Sequence, residues 1–167
     1  MVTTDDVKRL REATGAGVMD SKRALEETGG DFDRARALLR ERGVAAAAKR
    51  TERATGQGLV EAYIHGEGRI GALVEVNCET DFVARTPAFR QLARDIAMQV
   101  AAMDPQGLTP EDVPADAGGD REQQALLTQA FIKDGSRTIQ DLVQEVIAQT
   151  GENVRIARFS RFELGGA

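Results

Sequence analysis

The chain's 167 residues, 41% hydrophobic and 29% charged, suit one compact domain or a small module with a modest second one. A single cysteine, Cys78, and a single histidine, His65, exclude a disulfide framework and a zinc site of the usual Cys/His type. The net charge of −5 divides into +2 over residues 1–56 and −7 beyond, without the cationic excess that non-specific nucleic-acid binding needs.

No apolar run reaches the length of a membrane span and no signal-peptide pattern is present, so a cytoplasmic protein is expected. Residues 4–42 read as three short helices. The first covers Thr4–Thr14 and is broken by Gly15-Ala16-Gly17. The second runs from Val18 to Thr28, with Ser21, Ala24, Leu25 and Thr28 on one stripe, and Gly29-Gly30 ends it. Asp31 is a good N-cap for the third, where Phe32, Ala35, Leu38 and Leu39 share a face and Gly43 marks the stop. These apolar stripes are thin, which suits a small docking module of marginal stability. Residues 44–56 read as an exposed connector, helical or flexible: the Ala45–Ala48 run favours helix, while Lys49 to Arg53 is polar all round.

The period then changes to two. Leu59–His65 and Arg69–Cys78 form two strands, joined by hairpin residues Gly66-Glu67-Gly68. In the second, Ile70, Ala72, Val74, Val76 and Cys78 point one way, a face that helices should cover. Thr86-Pro87 opens a long helix in which Phe89, Leu92, Ala93, Ile96, Ala97 and Val100 recur at helical spacing, and Asp104-Pro105 stops it. Gly107–Gly119 reads as a loop, Arg121–Phe131 as a weak helix, Thr138–Thr150 as an amphipathic helix and Asn153–Phe162 as a last strand. The expected fold class is α+β: residues 1–43 a three-helix module, 44–56 a connector, and 57–167 a three-stranded antiparallel sheet covered by helices.

Catalytic candidates are few. Cys78 lies on the apolar side of a strand, as a small buried hydrophobe does, and a Cys78–His65 pair lacks the third group that would orient it. Glu75 and Asp81 as paired carboxylates are outweighed by the ordinary reading of solvated rim charges. The unusual stretch is Asn77 to Arg85, which leaves a strand and meets a capped helix within a few residues. The pattern admits two readings of Phe82: a ring tucked into the local core, or an aromatic anchor projecting toward a partner.

The stretch Val74-Glu75-Val76-Asn77-Cys78-Glu79-Thr80-Asp81-Phe82-Val83-Ala84-Arg85 resembles the central signature of the elongation factor Ts family. Leu10 through Leu25, including Thr14-Gly15-Ala16-Gly17-Val18-Met19-Asp20, is similar to its N-terminal signature. Gln129 to Asp134 and Gly151 through Leu164 are similar to its C-terminal one. The resemblance implies a ubiquitin-associated-like N-terminal module and a core sheet packed on helices. It also implies a guanine-nucleotide exchange factor that promotes GDP release from elongation factor Tu, binding it GDP-loaded and nucleotide-free, by protein contact and with no cofactor, metal or covalent chemistry. Thr80, Asp81, Phe82 and Val83 would form an intruding tip whose aromatic wedges between helices of the GTPase. Arg11, Val18, Met19 and Lys22 would meet its G domain; the ordinary alternative packs Val18 and Met19 between helices.

Two departures stand out. The family usually has paired methionines where this chain has Val18-Met19, and the family's longer helical stretch is missing between about Pro114 and Leu127. Short members with one sheet unit form homodimers, and a homodimer through sheet or C-terminal surfaces is expected here. The alternatives are an interaction module without exchange activity, and a small enzyme using Asp81 and Glu79, disfavoured by the lack of a plausible catalytic cluster.

Overall fold

The computed structural model describes residues 2–166. Contacts divide the chain into two compact units, Met1–Arg53 with Gln144–Asn153, and Ala54–Val143 with Val154–Ala167.

In the first unit, helices α1 (Thr4–Thr14), α2 (Val18–Glu27) and α3 (Phe32–Ala48) enclose a core of Val7, Leu10, Ala24, Leu25, Ala35 and Leu39. The caps follow the sequence. Thr3 and Asp6 form a reciprocal box at the start of α1, and Asp31 accepts from the Arg34 N–H at 3.0 Å to open α3. Gly15, at φ 68°, ends α1 in the left-handed conformation; a Cβ there would also meet Gln149. The expected stop at Gly43 does not hold: α3 runs on to Ala48, because the four alanines after Val44 outweigh one glycine. Part of the expected connector is therefore helix. Asn153 fastens the turn after α3, donating to the carbonyls of Thr51 (3.3 Å) and Arg53 (2.9 Å).

The second unit is built on an antiparallel sheet in the order β1 (Gln57–His65), β2 (Ile70–Cys78), β5 (Val154–Glu163). Gly66 and Glu67 both take positive φ in the β1–β2 turn, as a tight hairpin demands. Ala72, Val74, Val76 and Cys78 are buried on one face together with Val154 and Ile156. Helix α5 (Pro87–Met103) covers that face with Phe89, Leu92, Ala93, Ile96, Ala97 and Val100; each large side chain contributes roughly 1.5–3 kcal/mol by leaving water.

The weak helix expected over Arg121–Phe131 is corrected. Only α6 (Arg121–Gln124) and a 3-10 turn (Leu126–Thr128) are helical, and the chain then enters a small hairpin, β3 (Ala130–Phe131) with β4 (Asp134–Thr138). Two long-range pairings compete with helix here: the N–H groups of Leu126 and Leu127 donate to Gly107 and Leu108, and Gln99, fully buried on α5, donates to Gln129 and Ala130 and accepts from the Ile132 N–H at 3.0 Å. Helix α7 spans Ile139–Thr150. No helix of the described residues is long and apolar enough to cross a membrane.

Candidate functional site

The corner after β2 is one turn of helix, α4 (Asp81–Ala84), held from both sides. Thr80, in extended conformation, caps it by accepting from the Val83 N–H at 3.4 Å, and the Cys78 thiol donates to the Thr80 carbonyl at 3.1 Å. On the far side Thr86 caps α5: its hydroxyl donates to the Val83 carbonyl at 2.7 Å and accepts from the Phe89 N–H at 3.3 Å. A single turn capped at both ends has little freedom. Successive side chains step by about 100° around it, so Val83 and Ala84 turn inward and are buried while Phe82 turns out.

The Phe82 ring is 79% exposed, the most exposed large hydrophobic side chain among the described residues. The tucked-in reading of this residue is therefore overturned. Its physical cause is the helical phase: the buried positions of the turn are already filled by Val83 and Ala84. Asp81 beside it is half-buried and pairs with Arg85 at 2.9 Å, an exposed contact of small energetic weight. Thr80 and Glu79 are half-buried. Of the four corner residues, Asp81 and Phe82 present side chains outward, Thr80 serves as the cap, and Val83 faces the interior.

The other candidate residues lie in the first unit. Val18 and Met19 open α2 and are 55% and 61% exposed, so they do not pack between helices. Gly17 caps that end without a side-chain bond. Lys22, one turn on, is exposed and loosely paired with Glu26 at 3.7 Å. Arg11, in the last turn of α1, is exposed. The short turn at Gly15–Gly17 joins the two helices, so Arg11 and Val18 flank the same loop.

A third feature lies on the sheet, where the sequence expectations named a surface for pairing but not its residues. The sheet face away from α5 is not polar. Val60, Ile64 and Phe162 are 65%, 65% and 71% exposed, and Leu73 and Leu164 join them. Ile64, Gly71 and Phe162 stand in one row of the register, and Ala62, Leu73 and Ser160 in the next. Alternation in β1 and β5 could have revealed this, since Val60, Ala62 and Ile64 share one phase. Across the next row Glu75 pairs with Arg158 at 2.7 Å, and hydrogen bonds from Asn77 and Arg158 hold its carboxyl below the usual range. Among the described residues no group of three or more His, Cys, Asp or Glu side chains is placed to hold a metal ion.

The family model described as Elongation factor TS matches residues 31–125, a stretch that contains the whole corner. The chain is 50% identical over 190 residues to elongation factor Ts of Rubrobacter xylanophilus, covering 96% of this chain and 97% of that protein. It is 49% identical to elongation factor Ts of Carboxydothermus hydrogenoformans (99% and 90% covered) and 47% identical to that of Syntrophomonas wolfei (99% and 91%). The chain belongs to the elongation factor Ts family. That membership gives it a role in translation elongation. The alignment with the Rubrobacter relative is longer than the chain's own 167 residues, so that elongation factor Ts carries residues for which this chain has no counterpart.

Proposed function

We propose that the chain is a guanine-nucleotide exchange factor that promotes GDP release from elongation factor Tu by protein contact, without covalent chemistry. The observation that carries this reading is the exposed Phe82 ring on a corner capped at both ends. An aromatic side chain with fixed direction and no intramolecular cover is the instrument a wedge needs. Asp81 flanks it, Thr80 holds it, and Val83 supports it from below. Val18, Met19, Arg11 and Lys22 form a second contact, by which the three-helix unit grips the G domain.

The mechanism is linkage. A factor that binds the nucleotide-free GTPase better than the GDP-bound one weakens GDP by the same factor. A buried aromatic anchor is worth roughly 2–4 kcal/mol, and about 1.4 kcal/mol is tenfold in affinity. Phe82 therefore supplies much of the effect, and the contact at Val18 and Met19 supplies affinity. The setting is cytoplasmic, and no direct nucleic-acid contact is involved.

The test is stopped-flow release of labelled GDP from elongation factor Tu. The wild-type chain should accelerate release, and Phe82→Ala should reduce that acceleration on the order of tenfold or more with an unchanged melting temperature. A tight complex indifferent to GDP, with no acceleration, would instead mark a docking module.

The open sheet face supports the homodimer. An apolar surface of Ile64, Leu73, Phe162 and Leu164 around a hollow of about 460 Å3, with Val60 exposed on the same sheet face, is the kind of patch that a second copy covers about a twofold axis. Sedimentation of the wild-type chain should give a dimer and Phe162→Asp a monomer; a wild-type monomer at micromolar concentration would end this part of the proposal.

A further inference from the structure

Next to the corner, where the start of α5 meets β1, lies a groove of about 380 Å3 walled by Leu59, Val60, Glu61, Pro87, Arg90 and Arg94. Arg90 and Arg94 stand one turn apart on α5 and both are exposed. Arg90 makes no ion pair among the described residues. Arg94 reaches Glu61 only at 3.8 Å, with its side chain 67% exposed. Arg85, Arg137, Arg158 and Arg161 of the same unit are each paired to a carboxylate at 2.9 Å or closer. Arg69, Arg121 and Arg155 of the unit likewise make no ion pair among the described residues; what sets Arg90 and Arg94 apart is that both line one groove, in a region, residues 57–167, whose net charge is −7.

A helix dipole adds to the two guanidinium charges. Pro87 is the first residue of a 17-residue helix, so the positive end of the α5 dipole lies in the same wall. Pro87 also follows the Phe82 corner directly, separated from α4 only by Arg85 and Thr86. The groove wall at Pro87 therefore begins within five residues of Phe82, near any protein seated on that ring.

We propose that this groove receives a carboxylate-bearing segment of the GTPase that Phe82 engages, and that Arg90 and Arg94 set the rate of encounter. The inference rests on the exchange reading and adds the electrostatic half of the docking surface. A guanidinium with free N–H donors matches a carboxylate in a paired geometry. Glu61 in the opposite wall disfavours every anion, and a multiply charged phosphate group more than a single carboxylate. Charges at the margin of an interface act mainly on association and on its salt dependence, less on the chemistry at the centre.

The experiment compares the full-length wild type with the double variant Arg90→Gln/Arg94→Gln, both checked by thermal unfolding. Association with elongation factor Tu and GDP release are followed across factor concentration and ionic strength. The double variant should associate roughly threefold to tenfold more slowly at low salt, converge on the wild type at high salt, and reach the same maximal GDP-release rate at saturation. Equal association rates and equal salt dependence would overturn the groove proposal and leave the exchange reading standing. A wild type that associates without releasing GDP would end the exchange reading, while the association rates still decide the groove. No association of the wild type at any ionic strength would end both. Inorganic phosphate, added at constant ionic strength, should not slow the wild type selectively; slowing that vanishes in the double variant would make the groove a phosphate site and overturn the carboxylate assignment.

Discussion

The two projecting apolar sites, Phe82 and the Val18–Met19 pair, differ in what stands behind them. Phe82 rides on a turn fixed by Thr80 and Thr86, above a sheet whose β2 interior is fully buried and a helix carrying eight buried residues. Val18 and Met19 start a helix whose cap is a glycine without a side-chain bond, over a core of six buried residues, two of them alanines. A wedge must resist being pushed back, so rigidity serves it. A grip gains from side chains that adapt, and Met is the most adaptable apolar residue.

The comparison breaks most sharply through the small core. Leu25 is almost fully buried between the three helices, so Leu25→Ala should cost roughly 2–4 kcal/mol. In so thin a unit this should unfold the module while the sheet stays folded. Amide hydrogen exchange on the full chain would show protection lost in α1–α3 and kept in β1, β2 and α5; loss in both would mean that the two units unfold together. Thr80→Ala tests the corner. Losing the cap should cost about 1 kcal/mol and lower GDP release less than Phe82→Ala does. A loss equal to that of Phe82→Ala would mean that rigidity, more than the ring, drives release.

Replacing Val18 and Met19 with Ala should raise the half-saturating concentration roughly threefold, a modest hot-spot loss, and leave the maximal GDP-release rate in place. A fall in the maximal rate would erase the distinction between grip and wedge. The smallest effect concerns pH. The Thr3 hydroxyl and backbone N–H hold the Asp6 carboxyl below its usual range. A depressed acid contributes stability above its unfolded value, about 3.9, and loses it as pH falls through the lower folded value. Thr3→Ala also removes the cap bond from the Asp6 N–H, which does not titrate, so it should lower the stability of the three-helix unit slightly, with the gap to wild type narrowing but not closing below about pH 4. A gap of the same size at neutral and acid pH would mean that the Asp6 carboxyl contributes nothing and that the cap bond alone carries the effect.

Much of this architecture was legible in advance because it is local. Thr4–Thr14 matches α1, since Gly15 enforces the stop, and β2 alternates cleanly because one face meets α5. Where local signals conflicted, tertiary contacts decided. Gly43 looked like a stop but sits inside α3. The Arg121–Phe131 segment looked helical but yields to pairings with residues 107–108 and with β4. Gln99 hid inside an apolar stripe, and its value as a clamp depends on groups thirty residues away in the chain.

At the candidate site, sequence alone supplied the unusual corner and its resemblance to the elongation factor Ts family. It left Phe82 undecided between core and surface, because a lone aromatic in a short connection has no period to read. The fold resolved that choice: once β2 and α5 fix both ends of a single helical turn, only two of its side chains can face the interior, and Val83 and Ala84 occupy those places. The apolar open sheet face and the two arginines on one groove are likewise products of register and packing. They gather residues from distant strands and helices, and that juxtaposition is set by the closed tertiary structure.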